Sequence, residues 1–408
     1  MRAWSFDALG AASNLNCSAL IRRGGNRTLG SVLFYFDHNA TSPLSDTARA
    51  AWLEATERFV GNPSSPHRLG ARADAALTGA REKLANMLGC AAQEIIWTSG
   101  ATESVNTAAG HVARRNDGAA WVSAVEHPCV LQAVERSFAG RVNHVPVNRD
   151  GRVDLEWLRT SLEVEKPALI AVMAANNETG ALQPWRDIAE LCDQRQVPFL
   201  CDAAQWIGKM PAAGLGCCTM LTGCAHKFGG PAGVGFLKCP EALHPLLVGG
   251  PQEDGRRAGT ENVAGVVAMM AALEERESRL AGEIAERVQV RRDFEAALAE
   301  RLPGAVVLGQ NADRLWNTVS VMMPEAPDCR QRWVVKLDKL GFAVSTGSAC
   351  ASGKEERSHV LAAMGYSAAE AGRVLRFSSG WDTRPSDWSE LLDGLARAAE
   401  EMKRQAKE

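Results

Sequence analysis

The sequence predicts an α/β protein: a large domain built on a mostly parallel sheet, with a second, smaller α+β domain. Two observations support this prediction. Short apolar runs alternate with helical segments up to about residue 240, and such runs are typical of strands buried on both faces. After Glu261 the pattern changes to a long helical stretch that is followed by one alternating segment and further helices.

The first unit of the large domain is the segment 94–113, EIIWTSGATESVNTAAGHVA. It predicts a buried strand over 95–98, a turn over 99–102 and a helix over 103–113. Further apolar runs predict strands at 119–125, 168–175, 197–202 and 233–238. Helical segments such as 185–196 lie between several of them, and this alternation predicts parallel pairing.

The smaller domain begins within a stretch that is rich in Ala, Glu, Leu and Arg and predicts a helix over 261–300. A strand is predicted at 317–323, a helix from about 328 to 340, and a terminal amphipathic helix from Ser386. The domains are therefore predicted as an extension at 1–33, a large domain at 45–280, and a small domain formed by 34–44 with 281–408.

Length and charge narrow the class of protein. The chain has 408 residues, enough for two domains, and its formal net charge is -3 from 45 basic and 48 acidic residues. Because basic residues are not in excess, the composition gives no indication of a nucleic-acid partner. No apolar run approaches 18 residues, so no membrane span is expected.

The eleven cysteines are irregularly spaced and include no C-x-x-C pair, so neither a zinc site nor a thioredoxin-like motif is predicted. Cys192 and Cys201 lie in apolar surroundings and are predicted to be core residues. Many unpaired thiols in a long chain favour a reducing compartment, and we expect the cytoplasm.

Residues 1–33 differ from the rest, because they carry four arginines, one acidic residue and no sustained periodicity. A targeting peptide has this composition, but we expect a disordered extension or a start codon placed too early.

Two residues of the α/β part are candidates for chemistry with a carbonyl cofactor. Lys227 precedes a Gly-rich turn, and a lysine with a depressed pKa there would form a Schiff base; a surface lysine is the alternative. Asp202 ends an apolar strand, where open α/β sheets bind ligands. It would keep a pyridine nitrogen protonated, or simply cap the next helix.

The turn TSGAT (98–102) joins a strand to a helix. Its backbone N–H groups and the helix dipole suit a phosphate, although an ordinary capped helix has the same pattern. His127 follows another strand and would stack on an aromatic cofactor or transfer protons, unless it is a structural histidine. The order of phosphate turn, stacking His, strand-end Asp and Lys is what binding of pyridoxal 5′-phosphate (PLP) requires.

From about Phe36 to near the C-terminus the chain resembles the cysteine desulfurases of the class V aminotransferase-like PLP family. The segments that carry the resemblance include FDHNATSPL (36–44), TSGATESVN (98–106), EHPCVL (126–131), NNETGALQP (176–184), DAAQWIGK (202–209), AHKFGGPAGVG (225–235), RRAGTEN (256–262), STGSACASG (345–353) and RVLRFSSG (373–380). The resemblance implies fold type I of the PLP-dependent transferases, with a mostly parallel seven-stranded sheet.

The resemblance also implies the role of each site residue. Lys227 would bind PLP covalently, with His127 stacked on its ring and assisting proton transfer. The other contacts to the cofactor would come from Ala101, Thr102, Asn177, Asp202, Gln205, Cys224, His226 and, for the neighbouring subunit of a homodimer, Thr260. The substrate carboxylate would be bound by Asn39, Asn177 and Arg376, since an arginine fork matches a carboxylate.

Cys350 lies among small and polar residues in the segment STGSACASGKE (345–355), where a core cysteine is not expected. By resemblance it is the cysteine that accepts sulfur from the substrate as a persulfide and passes it to an acceptor. Cys224 departs from the family, which usually has a serine there. A thiol is the weaker donor, and the loss would be about 0.5–1.5 kcal/mol of phosphate binding.

The expected reaction converts L-cysteine to L-alanine with transfer of sulfur to Cys350, for delivery to an acceptor protein in iron–sulfur cluster assembly, tRNA thiolation, cofactor synthesis or DNA modification. Selenocysteine lyase and a class V aminotransferase or epimerase are alternatives, and an aminotransferase would not need Cys350. A sulfur-relay scaffold without PLP chemistry is a third alternative, but the presence of Lys227, Asp202 and His127 favours an enzyme.

Overall fold

The computed structural model describes residues 34–240, 242–325, 329–347 and 358–405. The predicted extension at 1–33 and Cys350 lie outside these residues. The strands, numbered along the chain, are β1 (Phe34–Tyr35), β2 (Ile95–Thr98), β3 (Ala120–Ser123), β4 (Val142–Val145), β5 (Leu169–Ala171), β6 (Phe199–Asp202), β7 (Met220–Cys224), β8 (Gly235–Lys238), β9 (Val306–Val307), β10 (Thr318–Met322), β11 (Phe342–Ala343) and β12 (Val374–Ser378).

Helices cover most of the remaining chain between the strands. They are α1 (Asp46–Arg58), α2 (Arg68–Leu88), α3 (Ala101–Ala113), α4 (Pro128–Phe138), α5 (Leu155–Val164), α6 (Trp185–Arg195), α7 (Val263–Arg301), α8 (Cys329–Lys339), α9 (His359–Ala363), α10 (Ala368–Ala371) and α11 (Pro385–Gln405). None of the helices in the described ranges has both the length and the hydropathy needed to cross a membrane.

Seven strands form the central sheet in the order β2-β8-β7-β6-β5-β3-β4. The pairs β4–β3, β3–β5, β5–β6 and β6–β7 are parallel, while β8 runs antiparallel to both β7 and β2. The predicted α/β class and mostly parallel sheet are therefore confirmed. The sequence analysis identified neither the edge strand β4 nor β7.

The sheet is covered on both faces, as its apolar runs require. Along β5, Leu169 and Ala171 pack with α3 and α4 on one face, while Ile170 packs with α2, α6 and the start of α7 on the other. This alternation along one buried strand explains why the run contains no polar residue.

A second core forms around the antiparallel sheet β12-β10-β9. Helices α8 and α11 and the end of α7 cover it, and Trp333 and Trp388 are among its buried side chains. Helix α7 has 39 residues and belongs to both cores, because Met269 packs in the first and Phe294 in the second. The domain boundary at residue 280 stays a prediction.

Strand β1 joins the second core from the other end of the described chain. It pairs in parallel with β11, with Phe34 opposite Phe342, and Phe36 packs edge-on against Trp388. This pairing places the loop after β1, which includes Asn39, between the two cores.

Candidate active site

The carboxyl ends of the central strands meet at one edge of the sheet, and the predicted site residues follow them there. His127 follows β3, Asn177 follows β5, Asp202 ends β6, and Lys227 follows β7. Because β3, β5, β6 and β7 all run the same way, these side chains share the edge at which open α/β sheets bind ligands.

Asp202 is a buried carboxylate without an ion-pair partner among the described residues, although its Oδ1 accepts a 2.9 Å hydrogen bond from the Ala204 N–H. Burial raises its pKa, while that N–H and the nearby His127 and Lys227 oppose the rise. A buried carboxylate of this kind is suited to a cationic ligand group.

His127 caps helix α4, and Pro128 occupies the first helical position. Its Nδ1 accepts the Cys129 N–H at 3.2 Å, so in the neutral ring the proton is on Nε2. Burial lowers the pKa of His127, although Asp202 raises it. The ring is therefore held as the neutral tautomer with an Nε2 proton to donate.

Lys227 is the last residue of the one-turn helix Ala225–Lys227, and its charge acts on both His127 and Asp202. Its Nζ donates to Asn39 O at 2.7 Å and to Ala40 O at 2.9 Å. Gln205 Nε2 donates to the same Asn39 carbonyl at 2.9 Å. Three of the predicted residues are thus linked through one backbone oxygen.

The turn before α3 has the geometry of an anion site. A side chain is excluded at Gly235, where a Cβ would lie 2.6 Å from Gly100 Cα, so β8 approaches the turn closely. Cys224 is buried and lies opposite Gly235 in the pairing of β7 with β8. Burial raises the pKa of Cys224 to about 11, so its side chain is a neutral thiol.

Two further residues predicted to contact phosphate lie nearby. Thr102 is exposed on the first turn of α3. His226 Nδ1 lies 3.2 Å from Thr41 Oγ1, and burial together with the positive Lys227 and Lys209 lowers its pKa to about 4. A neutral His226 can donate a hydrogen bond to an anion without adding charge.

Arg376 on β12 brings the second core into the site. It is 1% exposed; its NH2 pairs with Asp37 Oδ1 at 2.6 Å, and its NH1 donates to Asn177 O at 2.9 Å. Arg376 Nε and Asn177 Oδ1 are buried and have no hydrogen-bond partner among the described residues. Both side chains therefore keep hydrogen-bonding capacity for a ligand.

Residues on either side of the 348–357 segment contact the same site. Gly347 O accepts from Arg376 NH1 at 3.3 Å, and Ser358 Oγ donates to Glu178 Oε2 at 2.6 Å. His359 Nε2 meets the Glu126 carbonyl at 2.7 Å. The flanks of the segment that contains Cys350 are thus fixed beside the pocket.

Thr260 is not joined to the other residues. It is exposed in the loop before α7, and no hydrogen bond in the described part of the chain connects it to the site. Within one chain it is therefore separate from the pocket.

The sequence analysis missed three residues that belong to the site's structure: Lys209, Glu126 and Glu178. Lys209 is a buried amine bonded to Asn39 and Gln205, and Glu126 is a fully buried carboxyl whose pKa is raised well above its usual value by burial. Each lies within four residues of a predicted site residue and inside a segment that carries the family resemblance: EHPCVL (126–131), NNETGALQP (176–184) or DAAQWIGK (202–209).

The comparisons with known proteins agree with this geometry. The family model of the class V aminotransferases matches residues 34–387. A cysteine desulfurase of Cereibacter sphaeroides is 38% identical over 381 residues, which cover 90% of this chain and 96% of that protein. The cysteine desulfurase IscS of Dictyoglomus turgidum is 35% identical over 378 residues, with 90% and 95% covered. A solved NifS-like protein superposes with a TM-score of 0.82 at 30% identity, over 90% of this chain and 99% of the other.

Proposed function

The chain belongs to the class V aminotransferase family, and we infer from its relatives and its site that it is a PLP-dependent cysteine desulfurase. The observation that carries the inference is the convergence of Asp202, His127 and Lys227 at one edge of the sheet. The reaction moves the sulfur of L-cysteine to an enzyme thiol, leaving L-alanine and a persulfide.

The residues present fit PLP. Asp202, buried without a cation, is suited to hold the pyridinium N–H, and the turn around Ala101 offers backbone N–H groups to the phosphate. When bound, PLP supplies an electron sink that makes the substrate Cα–H acidic. We assign Lys227 to its covalent attachment, Gln205 to the ring oxygen, and Thr102, Cys224 and His226 to the phosphate.

Proton transfer falls to two residues. Lys227 Nζ would accept the proton from the substrate Cα and hold it. His127 stacks on the cofactor ring, and its Nε2 proton is the one available for donation because Nδ1 is occupied by the Cys129 N–H. Replacement of His127 by a residue without a ring proton would therefore weaken stacking on the cofactor as well as slow turnover.

The substrate carboxylate is assigned to Arg376, with Asn177 and Asn39 beside it. Arg376 Nε has no partner among the described residues, and NH2, which bonds Asp37 alone, keeps a second N–H for the carboxylate.

Cys350 is assigned as the sulfur acceptor. Support comes from the flanks of its segment, because Gly347 contacts Arg376, and His359 contacts the residue preceding His127. The Cys350 thiolate would attack the substrate sulfur, the Cβ–S bond would break, and Cβ would take up a proton. The proton held by Lys227 would then return to Cα, which gives alanine and leaves the persulfide on Cys350. The persulfide then passes to an acceptor protein.

We further propose a homodimer in which Thr260 contacts the partner's PLP phosphate. The loop carrying Thr260 is tied to an apolar segment by the bond from Ala258 N to Leu247 O, 3.2 Å long. That segment exposes Leu246, Leu247 and Val248, the last at 81%. Such a surface is suited to a second copy of the chain.

A cytoplasmic location is proposed from the thiols. None of the nine cysteines within the described ranges forms a disulfide, and Cys217 is exposed, as expected in a reducing compartment.

The function is tested by incubating the purified protein with PLP and L-cysteine, with and without dithiothreitol. We expect alanine and sulfide in equal amounts with the reductant, and about one alanine per site without it, because the persulfide then stays on the enzyme. Absence of alanine, or formation of an amino-transfer product with an added keto acid, would contradict the assignment.

The dimer is tested by mixing two inactive variants, Lys227→Ala and Thr260→Ala. In a mixed dimer, one site keeps its own Lys227 and takes Thr260 from the partner, so activity should recover. If Thr260 serves its own chain, mixing will restore nothing.

A further inference from the structure

Lys209 is a buried amine in the site that the proposed mechanism does not use. It is 3% exposed, and its Nζ donates to Asn39 Oδ1 at 2.8 Å and to Gln205 Oε1. No carboxylate in the described ranges lies within ion-pair distance. Burial, with the positive Lys227 and Arg376 nearby, lowers its pKa well below the usual value.

The fold holds the Lys209 backbone at two points. Gly208 has φ +73°, and a Cβ there would lie 2.3 Å from Phe228 Cβ, so only glycine makes the turn. Trp381 Nε1 donates to Gly208 O and Trp316 Nε1 to Lys209 O, each at 2.8 Å. The buried amine is therefore held in place by residues of the C-terminal part of the chain.

A buried amine whose polar contacts are two amides points its N–H bonds at their oxygens, and this fixes the orientation of both amides. The two ends of a glutamine or asparagine amide differ only in being acceptor and donor. Whether neutral or charged, Lys209 has at least two N–H bonds, which must meet oxygens. Gln205 therefore turns Oε1 to Lys209 and Nε2 to the opposite side, where it donates to Asn39 O.

The same holds for Asn39, the second amide that Lys209 contacts. Its Oδ1 faces Lys209, and its Nδ2 donates to Thr318 Oγ1 at 2.9 Å and to Asn177 O at 3.2 Å. Gln205 Nε2 has a second N–H, on the side of the pocket where Lys227 shares the Asn39 carbonyl.

We propose that Lys209 is a positioning residue, which holds Gln205 so that it offers an N–H, and not a carbonyl, to the ring oxygen of PLP. This rests on the proposed function, in which Gln205 contacts that oxygen. A donated hydrogen bond withdraws electron density from the oxygen, so that the nitrogen joining Lys227 to PLP becomes less basic. Lys209 thereby lowers the pH at which bound PLP changes its protonation state.

The test is the absorption spectrum of the PLP-loaded enzyme as a function of pH. In Lys209→Met the spectral midpoint should rise by about 0.4–1 pH unit, the value of one hydrogen bond. Lys209→Gln keeps a donor without a charge and should stay at the wild-type midpoint. If the midpoints of both variants shift equally, Lys209 acts through its charge. If neither midpoint shifts, Lys209 does not orient Gln205. Either result overturns the proposal.

If Lys209→Met does not fold, Lys209→Ala is titrated in its place beside Lys209→Gln. A raised midpoint in Lys209→Ala alone supports the proposal, and an unchanged midpoint in both variants contradicts it. The proposed function is judged separately on the wild-type enzyme. A wild type without any PLP absorption refutes that function, whereas an unshifted variant refutes only the role of Lys209.

Discussion

Replacing Cys224 by serine should tighten the binding of PLP. Cys224 is 3% exposed at the end of β7, beside the turn of Gly100 and Ala101, and its thiol is neutral because burial raises its pKa to about 11. It therefore neither repels the phosphate nor donates strongly to it. A hydroxyl at the same position is a much better donor to a phosphate oxygen.

The expected gain is the difference between a weak and an ordinary hydrogen bond, about 0.5–1.5 kcal/mol. At 25 °C this corresponds to a PLP dissociation constant about 2- to 13-fold lower. It is measured by titrating the apo-protein with PLP and following absorption or tryptophan fluorescence. Pyridoxal, which lacks the phosphate, should bind Cys224→Ser and the wild type equally.

Cys192→Ser provides the matched control, because Cys192 is a buried thiol on α6 whose pKa is raised by burial alone. It removes a core thiol in the same way but far from the phosphate turn, so PLP affinity should not change. Unchanged or weaker PLP binding by Cys224→Ser would refute the assignment of this position to the phosphate, as would an equal gain for pyridoxal.

Three further predictions concern single residues of the site. Lys227→Ala should abolish the absorption of covalently bound PLP and its trapping by borohydride; a reducible chromophore that persists would contradict the assignment. Cys350→Ala should still change its spectrum on adding L-cysteine but make alanine and sulfide only at background; a desulfurase rate near that of the wild type would disprove its role. Glu126→Gln should remove a pH dependence of stability. Because burial raises the folded-state pKa of Glu126 above 4.5, the wild type loses up to about 1.36 kcal/mol of unfolding free energy per pH unit from pH 4.5 up to the raised pKa. The free energy of unfolding, measured by urea denaturation at several pH values, should fall by this amount more steeply in the wild type than in Glu126→Gln. Parallel curves for the two proteins would contradict the prediction.

The parts of the fold that the sequence predicts are those whose signal is local. Strands β2, β5 and β6 are apolar runs between turn residues, and α7 is a long stretch of strong helix formers. β4, with sequence VNHV, was missed because its middle residues are exposed at the edge of the sheet. The antiparallel direction of β8 depends on its neighbours and has no sequence signature.

In the site, too, residues with a local sequence signal could be predicted and those that depend on distant partners could not. Asp202 and His127 could be predicted because each is a polar residue at or just after the end of an apolar strand, which is where open α/β sheets bind ligands. The pairing of Arg376 with Asp37 spans 339 positions, and Lys209 reaches Asn39 across 170. No local pattern reports that a lysine is buried without a counter-ion, since lysine is ordinarily exposed.

The pairing of β1 with β11 has a consequence for how the chain is made. Residues 34–36 are synthesised early, but their partners Phe342 and Trp388 follow some 300 residues later, about 15–70 s at ordinary rates of translation. The strands and helices of the central sheet can form during this interval, whereas Phe34 and Phe36 still lack Phe342 and Trp388 as packing partners. A nascent chain halted before β11 would therefore combine a finished sheet with an uncovered aromatic segment, which is the kind of surface that chaperones bind.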